Sequence, residues 1–86
     1  MKVVHIKWKD PAFAQSGWMT KDEFHEWVEK GLAPSDSVGL LAHESDEMIV
    51  LLQTVGENQV ADAVKISRSA IMELKELGEV DIILET

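Results

Sequence analysis

A mainly β fold with one short helix is predicted by three features of the 86-residue sequence. Val4, Ile6 and Trp8 share one face of a predicted first strand, and Val38, Leu40 and Ala42 share one face of a predicted second strand, which is the two-residue period of a β-strand. The run from Met48 to Leu52 is continuously apolar, as expected for a strand with neighbours on both sides. Only the segment that begins at Thr20 carries a full set of helix signals.

The helix is predicted over residues 21–30. Thr20 and Glu23 have the spacing of a capping box, and Gly31 is a typical residue for ending a helix. Acidic residues in the first turn and Lys30 in the last complement the helix dipole. The residues of its apolar stripe recur at helical spacing; they are Phe24, Trp27 and Val28. We expect Trp27, and also Trp8 on the first strand, to lie in the core.

Turn residues separate the remaining predicted strands. Residues 34–36 are predicted as a turn, residues 37–43 as a second strand and residues 44–47 as a polar hairpin connection. A third strand is predicted over residues 48–55, followed by a turn at residues 56–58. The alternation in residues 80–84 predicts a final strand.

Residues 58–77 are compatible with two structures. As helices they match a helix-turn-helix, a DNA-binding element, in which Ser67, Arg68, Ser69 and Met72 would face the groove. As strands they form the last two strands of a sheet, joined by a short 3₁₀ turn at residues 67–69. The second interpretation is favoured because the recognition helix of the first would carry as many acidic as basic residues, and phosphate backbones repel acidic surfaces.

The whole chain resembles a family of small uncharacterised proteins from phages and prophages. The shared motifs include Trp8-Lys9-Asp10, Gly17-Trp18, Ser37-Val38-Gly39, a strand from Asp46 to Leu51 and a closing pattern from Ile66 to Leu74, with Ser67 where proline is usual. This order of elements is similar to Sm-like and SH3-like small β-barrels. The resemblance implies one domain, residues 1–86, folded as a strongly bent five-stranded barrel, and homo-oligomers are expected by analogy.

Composition and charge restrict the chemistry. The formal net charge is −8, which disfavours direct binding of nucleic acid and is compatible with an acidic mimic of it. There are no cysteines, and the three histidines have no metal-ligand spacing. No phosphate loop or nucleophile motif is present, so we expect no enzyme activity, cofactor or metal. The longest apolar run is too short to span a membrane.

These observations predict a protein-binding accessory or inhibitory module that is encoded by a phage or prophage and acts in the host cytoplasm. Trp18 follows a glycine just before the helix; it either fixes the loop on the sheet or anchors a partner, since exposed tryptophans concentrate binding energy. Asp10, Glu44 and Asp46 are further candidate partner-binding residues. The two alternative functions are the DNA-binding regulator and the acidic nucleic-acid mimic that inhibits a host enzyme.

Overall fold

A computed structural model describes residues 1–9 and 17–84. The strands are β1 (Lys2–Lys9), β2 (Pro34–Glu44), β3 (Met48–Leu52), β4 (Thr54–Val55), β5 (Val60–Ala61), β6 (Val64–Ser67) and β7 (Ile71–Glu79). The helix α1 spans Lys21–Lys30, and a 3₁₀ turn spans Arg68–Ala70. The mainly β prediction with one α-helix is confirmed for the described part of the chain, within which the helix is too short to cross a membrane.

Five strands form one antiparallel sheet in the order β6-β3-β2-β1-β7. The short strands β4 and β5 form a separate hairpin, closed by a turn in which the Gly56 amide donates to the Gln59 carbonyl. β6 and β7 lie at opposite edges, and in the described residues no backbone ladder joins them. The prediction of a five-stranded sheet is therefore confirmed, with β4 and β5 outside it. The sheet is open, however, and does not close into a barrel.

The core lies on one face of this sheet. Val4 and Ile6 on β1 are buried with Ile49 and Leu51 on β3 and Ile66 on β6. Ile49 lies directly opposite Ile66 in the ladder, so the two branched side chains pack as a cross-strand pair. Around this cluster lie four partly buried apolar side chains, Trp8, Leu41, Val64 and Ile71.

Trp8, which was predicted in the core, is partly buried and packs against the buried cluster at its margin. Its indole Nε1 donates a hydrogen bond to Ser37 Oγ across 3.0 Å, which satisfies its polar atom on a neighbouring strand. The continuously apolar strand β3 lies between β2 and β6, which confirms that it has neighbours on both sides.

Three predicted boundaries are wrong. The strand predicted over residues 48–55 ends at Leu52, because the chain bends at Gln53 and residues 54–55 form β4 outside the main sheet. Residues 34–36 begin β2 rather than forming a turn, because Pro34 occupies the first strand position, where its missing N–H is tolerated, and pairs with Lys9. Residues 80–84 do not form a strand. The Val80 amide instead donates to the Met1 carbonyl, and the Met1 ammonium donates to the Val80 carbonyl. Gly78, which precedes the predicted final strand, lies inside β7.

The helix α1 has the predicted bounds and caps. The Glu23 amide donates to Thr20 Oγ1 across 3.1 Å, and Gly31 adopts a positive φ of 64° while its amide donates to the Val28 carbonyl. α1 nevertheless contains no buried residue. The prediction that Trp27 is a core residue is wrong, because the helix makes few contacts with the strands and leaves this side chain half-buried.

Candidate partner-binding surface

The structure leaves large apolar side chains uncovered on α1 and its flanks. Phe24, Val28 and Leu32 are 46%, 53% and 46% exposed. Phe24, Trp27 and Val28 follow helical spacing along one side of α1, Leu32 lies just beyond its end, and the rings of Phe24 and Trp27 are 6.3 Å apart. We call these four residues the apolar stripe. An amphipathic helix ordinarily buries such a stripe, so its exposure marks this side of α1 as a candidate interface.

Trp18 lies just before the helix and is fully exposed. This exposure is incompatible with the interpretation in which Trp18 fixes the loop onto the sheet. A large aromatic side chain that contacts little of its own chain is well suited to insert into a partner.

The apolar stripe continues towards the sheet through a shallow groove of about 330 Å³. Leu32 lines one side of the groove, and Ile71 and Met72, at the start of β7, line the other. The helix surface and the edge of the sheet are therefore connected by apolar side chains.

β7 is a nine-residue edge strand that pairs with β1 and, within the described residues, leaves its other edge unpaired. Three apolar side chains along it are exposed, Met72 at 53%, Leu74 at 39% and Leu77 at 52%. Proteins normally protect long apolar edges because unpaired amides and carbonyls accept a further strand. Charged side chains interrupt this edge, and one of them, Glu76, lies 3.7 Å from Lys2 on β1.

Arg68 forms hydrogen bonds to residues 44–47, the hairpin connection between β2 and β3. The Arg68 guanidinium donates to Glu44 Oε1 at 2.8 Å and to the Ser45 carbonyl at 2.9 Å, and its amide donates to the Glu47 carbonyl at 2.9 Å. Glu44, a predicted partner-binding residue, is thus engaged within the chain, while Asp46 remains exposed at the tip. Asp10 lies outside the described residues.

The structure does not unite the predicted partner-binding residues into one site. Trp18 precedes α1, whereas Glu44 and Asp46 lie at the β2–β3 connection. The exposed apolar residues of β7 were not predicted as a protein-binding site, and Met72 was named only as a groove-facing residue of the helix-turn-helix alternative. Their signal was the irregular spacing of Ile71, Leu74 and Leu77, which fits neither clean alternation nor a fully buried strand.

The helix-turn-helix alternative is wrong, because residues 58–77 contain β5, β6, the 3₁₀ turn and β7 and no α-helix. Ser67 ends β6 with its hydroxyl 2.9 Å from that of Ser69, Arg68 holds the hairpin connection, and Met72 lies on β7. Burial of Ile66 against Ile49 favours the strand, since a helix would remove this pair from the core.

No cluster of three potential metal ligands occurs in residues 1–9 and 17–84. His5 Nε2 lies 2.8 Å from Asp36 Oδ1 on the neighbouring strand, an isolated exposed pair. Comparison of the chain with protein-family models, curated proteins and solved structures found no match.

Proposed function

We propose that this chain is a non-catalytic protein-binding module that acts as an accessory or inhibitory factor. The observation that carries the proposal is β7, a long edge strand that has one edge unpaired among residues 1–9 and 17–84 and exposes the apolar side chains of Met72, Leu74 and Leu77. A partner binds by adding a strand to this edge. Main-chain hydrogen bonds supply affinity, and the exposed side chains supply specificity.

The proposed relationship to Sm-like and SH3-like folds is supported by the strand order and by the 3₁₀ turn between the two edge strands. In this proposal the gene belongs to a phage or prophage, the partner is a host protein, and edge strands also allow self-assembly. The strong bend of such folds is favoured by register shifts in the β1–β7 pairing, since bulges increase local twist.

The test compares substitutions of equal chemistry on the edge and inside the sheet. Met72→Lys and Leu77→Lys place a charge on β7, whereas Val38→Lys alters a side chain of similar exposure, 49%, on the interior strand β2. Immobilised chains capture proteins from a host lysate, and mass spectrometry quantifies each. We expect a specific partner to be lost with both β7 variants and retained with Val38→Lys.

A second readout locates the contact. On addition of the purified partner, the backbone amides of β7 become protected from hydrogen exchange, while those of β4 and β5 do not change. Circular dichroism first establishes that each variant is folded. Equal capture by wild type and both β7 variants, or unchanged exchange along β7 in the complex, would rule out strand addition.

A second candidate is an acidic mimic that occupies a nucleic-acid site on a host enzyme. Four exposed carboxylates on the ten-residue helix favour it; they are Asp22, Glu23, Glu26 and Glu29. Such a mimic competes with DNA for the captured enzyme, and its affinity falls as salt increases. If the captured protein binds the chain and DNA simultaneously, this candidate is incorrect.

A further inference from the structure

The stability of α1 points to a packing partner for its apolar stripe. A helix of ten residues is marginal in water on its own, and most helix stability in proteins comes from burial of an apolar face. α1 has good caps but no buried residue, and Phe24, Val28 and Leu32 of its stripe are about half exposed. The caps contribute only about 0.5–2 kcal/mol each. A second element that covers the stripe would therefore stabilise the helix.

We infer that this element is the same stripe of a second copy of the chain, with the two α1 helices antiparallel across a two-fold axis. Two-fold dimers are the commonest homo-oligomers, and each surface in them must complement itself. The stripe meets this condition, because the large ring of Phe24 at its N-terminal half faces the smaller Val28 of the other copy.

The charges beside the stripe support this orientation. Glu23 and Lys30 are seven residues apart, two helical turns, so they lie on the same flank, and both line a shallow depression beside Trp27. In an antiparallel pair each Glu23 faces the Lys30 of the other copy, which gives two equivalent ion pairs. Antiparallel packing also places opposite ends of the helix dipoles together.

These two side chains are available to a partner. Within the described residues neither Glu23 nor Lys30 forms an ion pair. They cannot pair with each other in one helix, because seven residues correspond to about 10 Å along the axis. Within the monomer both side chains complement the helix dipole but form no ion pair in the described residues, whereas in the dimer each also gains a partner of opposite charge.

The expected dimer is reversible. A ten-residue helix is about 15 Å long. Two such helices bury less than the roughly 800 Å² per partner of a standard interface. We therefore expect a monomer–dimer equilibrium that shifts with protein concentration, and we expect α1 to gain protection from hydrogen exchange as the dimer forms.

Sedimentation equilibrium of the full chain at increasing concentration tests the inference. Val28→Asp places a charge in the stripe and is expected to give a monomer at every concentration. Glu23→Lys alone and Lys30→Glu alone each remove two exposed ion pairs and are expected to weaken the dimer about two- to thirtyfold. Glu29→Lys makes the same charge change as Glu23→Lys away from the stripe, and is expected to leave the dimer intact.

An equimolar mixture of the Glu23→Lys and Lys30→Glu chains tests directly whether the two α1 helices contact each other. A chain with Glu23→Lys carries two lysines on the flank, and a chain with Lys30→Glu carries two glutamates. Their equimolar mixture is expected to form a heterodimer close to wild type in affinity, which only contact between the two α1 helices explains. Circular dichroism of each variant checks that the sheet is folded.

Three results would overturn the inference: a wild-type chain that stays monomeric, a dimer that survives Val28→Asp, or a mixture no tighter than its components. A dimer lost with Met72→Lys but kept with the α1 variants would assign self-association to β7 instead. The strand-addition proposal is separate, because β7 variants test it without altering α1.

Discussion

Replacing Gly39 with alanine is expected to destabilise the protein, because Gly39 lies where three strands approach closely. It is buried on β2 opposite Val4 of the core. A Cβ atom there would lie 3.0 Å from the Leu52 carbonyl oxygen and 3.2 Å from Leu51 Cβ. Both neighbours belong to β3, which is fixed by its ladders on either side, so they cannot move away without loss of pairing.

The third neighbour of this Cβ is Gln53 Nε2, at 3.1 Å. This amide donates a hydrogen bond of 2.6 Å to the Val38 carbonyl, so displacing it also weakens a contact between β2 and the bend that follows β3. Overpacking of a fixed site typically costs about 1–3 kcal/mol. For a domain of this size each kcal/mol lowers the melting temperature by roughly 4–8 °C.

Gly78→Ala is the matched control. Gly78 lies on the edge strand β7, and a Cβ there meets no atom within 4 Å. The same substitution should be neutral, or stabilising by about 0.4–1 kcal/mol because alanine restricts the unfolded chain. Urea denaturation followed by tryptophan fluorescence measures both free energies of unfolding. If Gly39→Ala is as stable as Gly78→Ala, the close approach of β2 and β3 described here is incorrect.

Three further substitutions test other parts of the structure. Ile66→Ala should cost about 2–5 kcal/mol of unfolding free energy, since it leaves a cavity in the core; a loss below that of Ile66→Val would contradict its burial. Arg68→Ala removes the bonds to Glu44 and the Ser45 carbonyl and should cost about 0.5–1.5 kcal/mol. Arg68→Lys keeps the charge but lacks the two guanidinium donors, so urea denaturation should show that it recovers only part of the lost unfolding free energy. Thr20→Ala should weaken α1 by about 0.5–2 kcal/mol, seen as reduced helical circular dichroism, whereas Thr20→Ser should preserve it.

The sequence predicted most local structure correctly. Helix signals are local: the Thr20 hydroxyl, the Gly31 stop and the residues between them define α1 without reference to the rest of the chain. Strand alternation from Val3 to Trp8 and the apolar run from Met48 to Leu52 likewise reflect burial that any sheet would impose. The 3₁₀ turn between the last two strands was also predicted.

The candidate surface was predicted only in part. Trp18 was identified from its sequence context as a possible anchor, and its exposure agrees with that role. Glu44 is engaged by Arg68, a residue far along the chain, which no local pattern indicates. The exposed apolar residues of β7 could not be found without knowing that this strand lies at an edge.

The sequence by itself therefore determined the mainly β class, the helix and its caps, the apolar strand β3 and the absence of thiol chemistry. Only the tertiary structure decided that residues 58–77 are strands, that the sheet stays open between β6 and β7, and that Trp27 is not in the core. The physical reason is that capping and turns depend on neighbouring residues, whereas burial depends on which distant strand pairs with which. The buried pair of Ile66 and Ile49 is such a contact, and it selects strands for the segment that sequence alone left ambiguous.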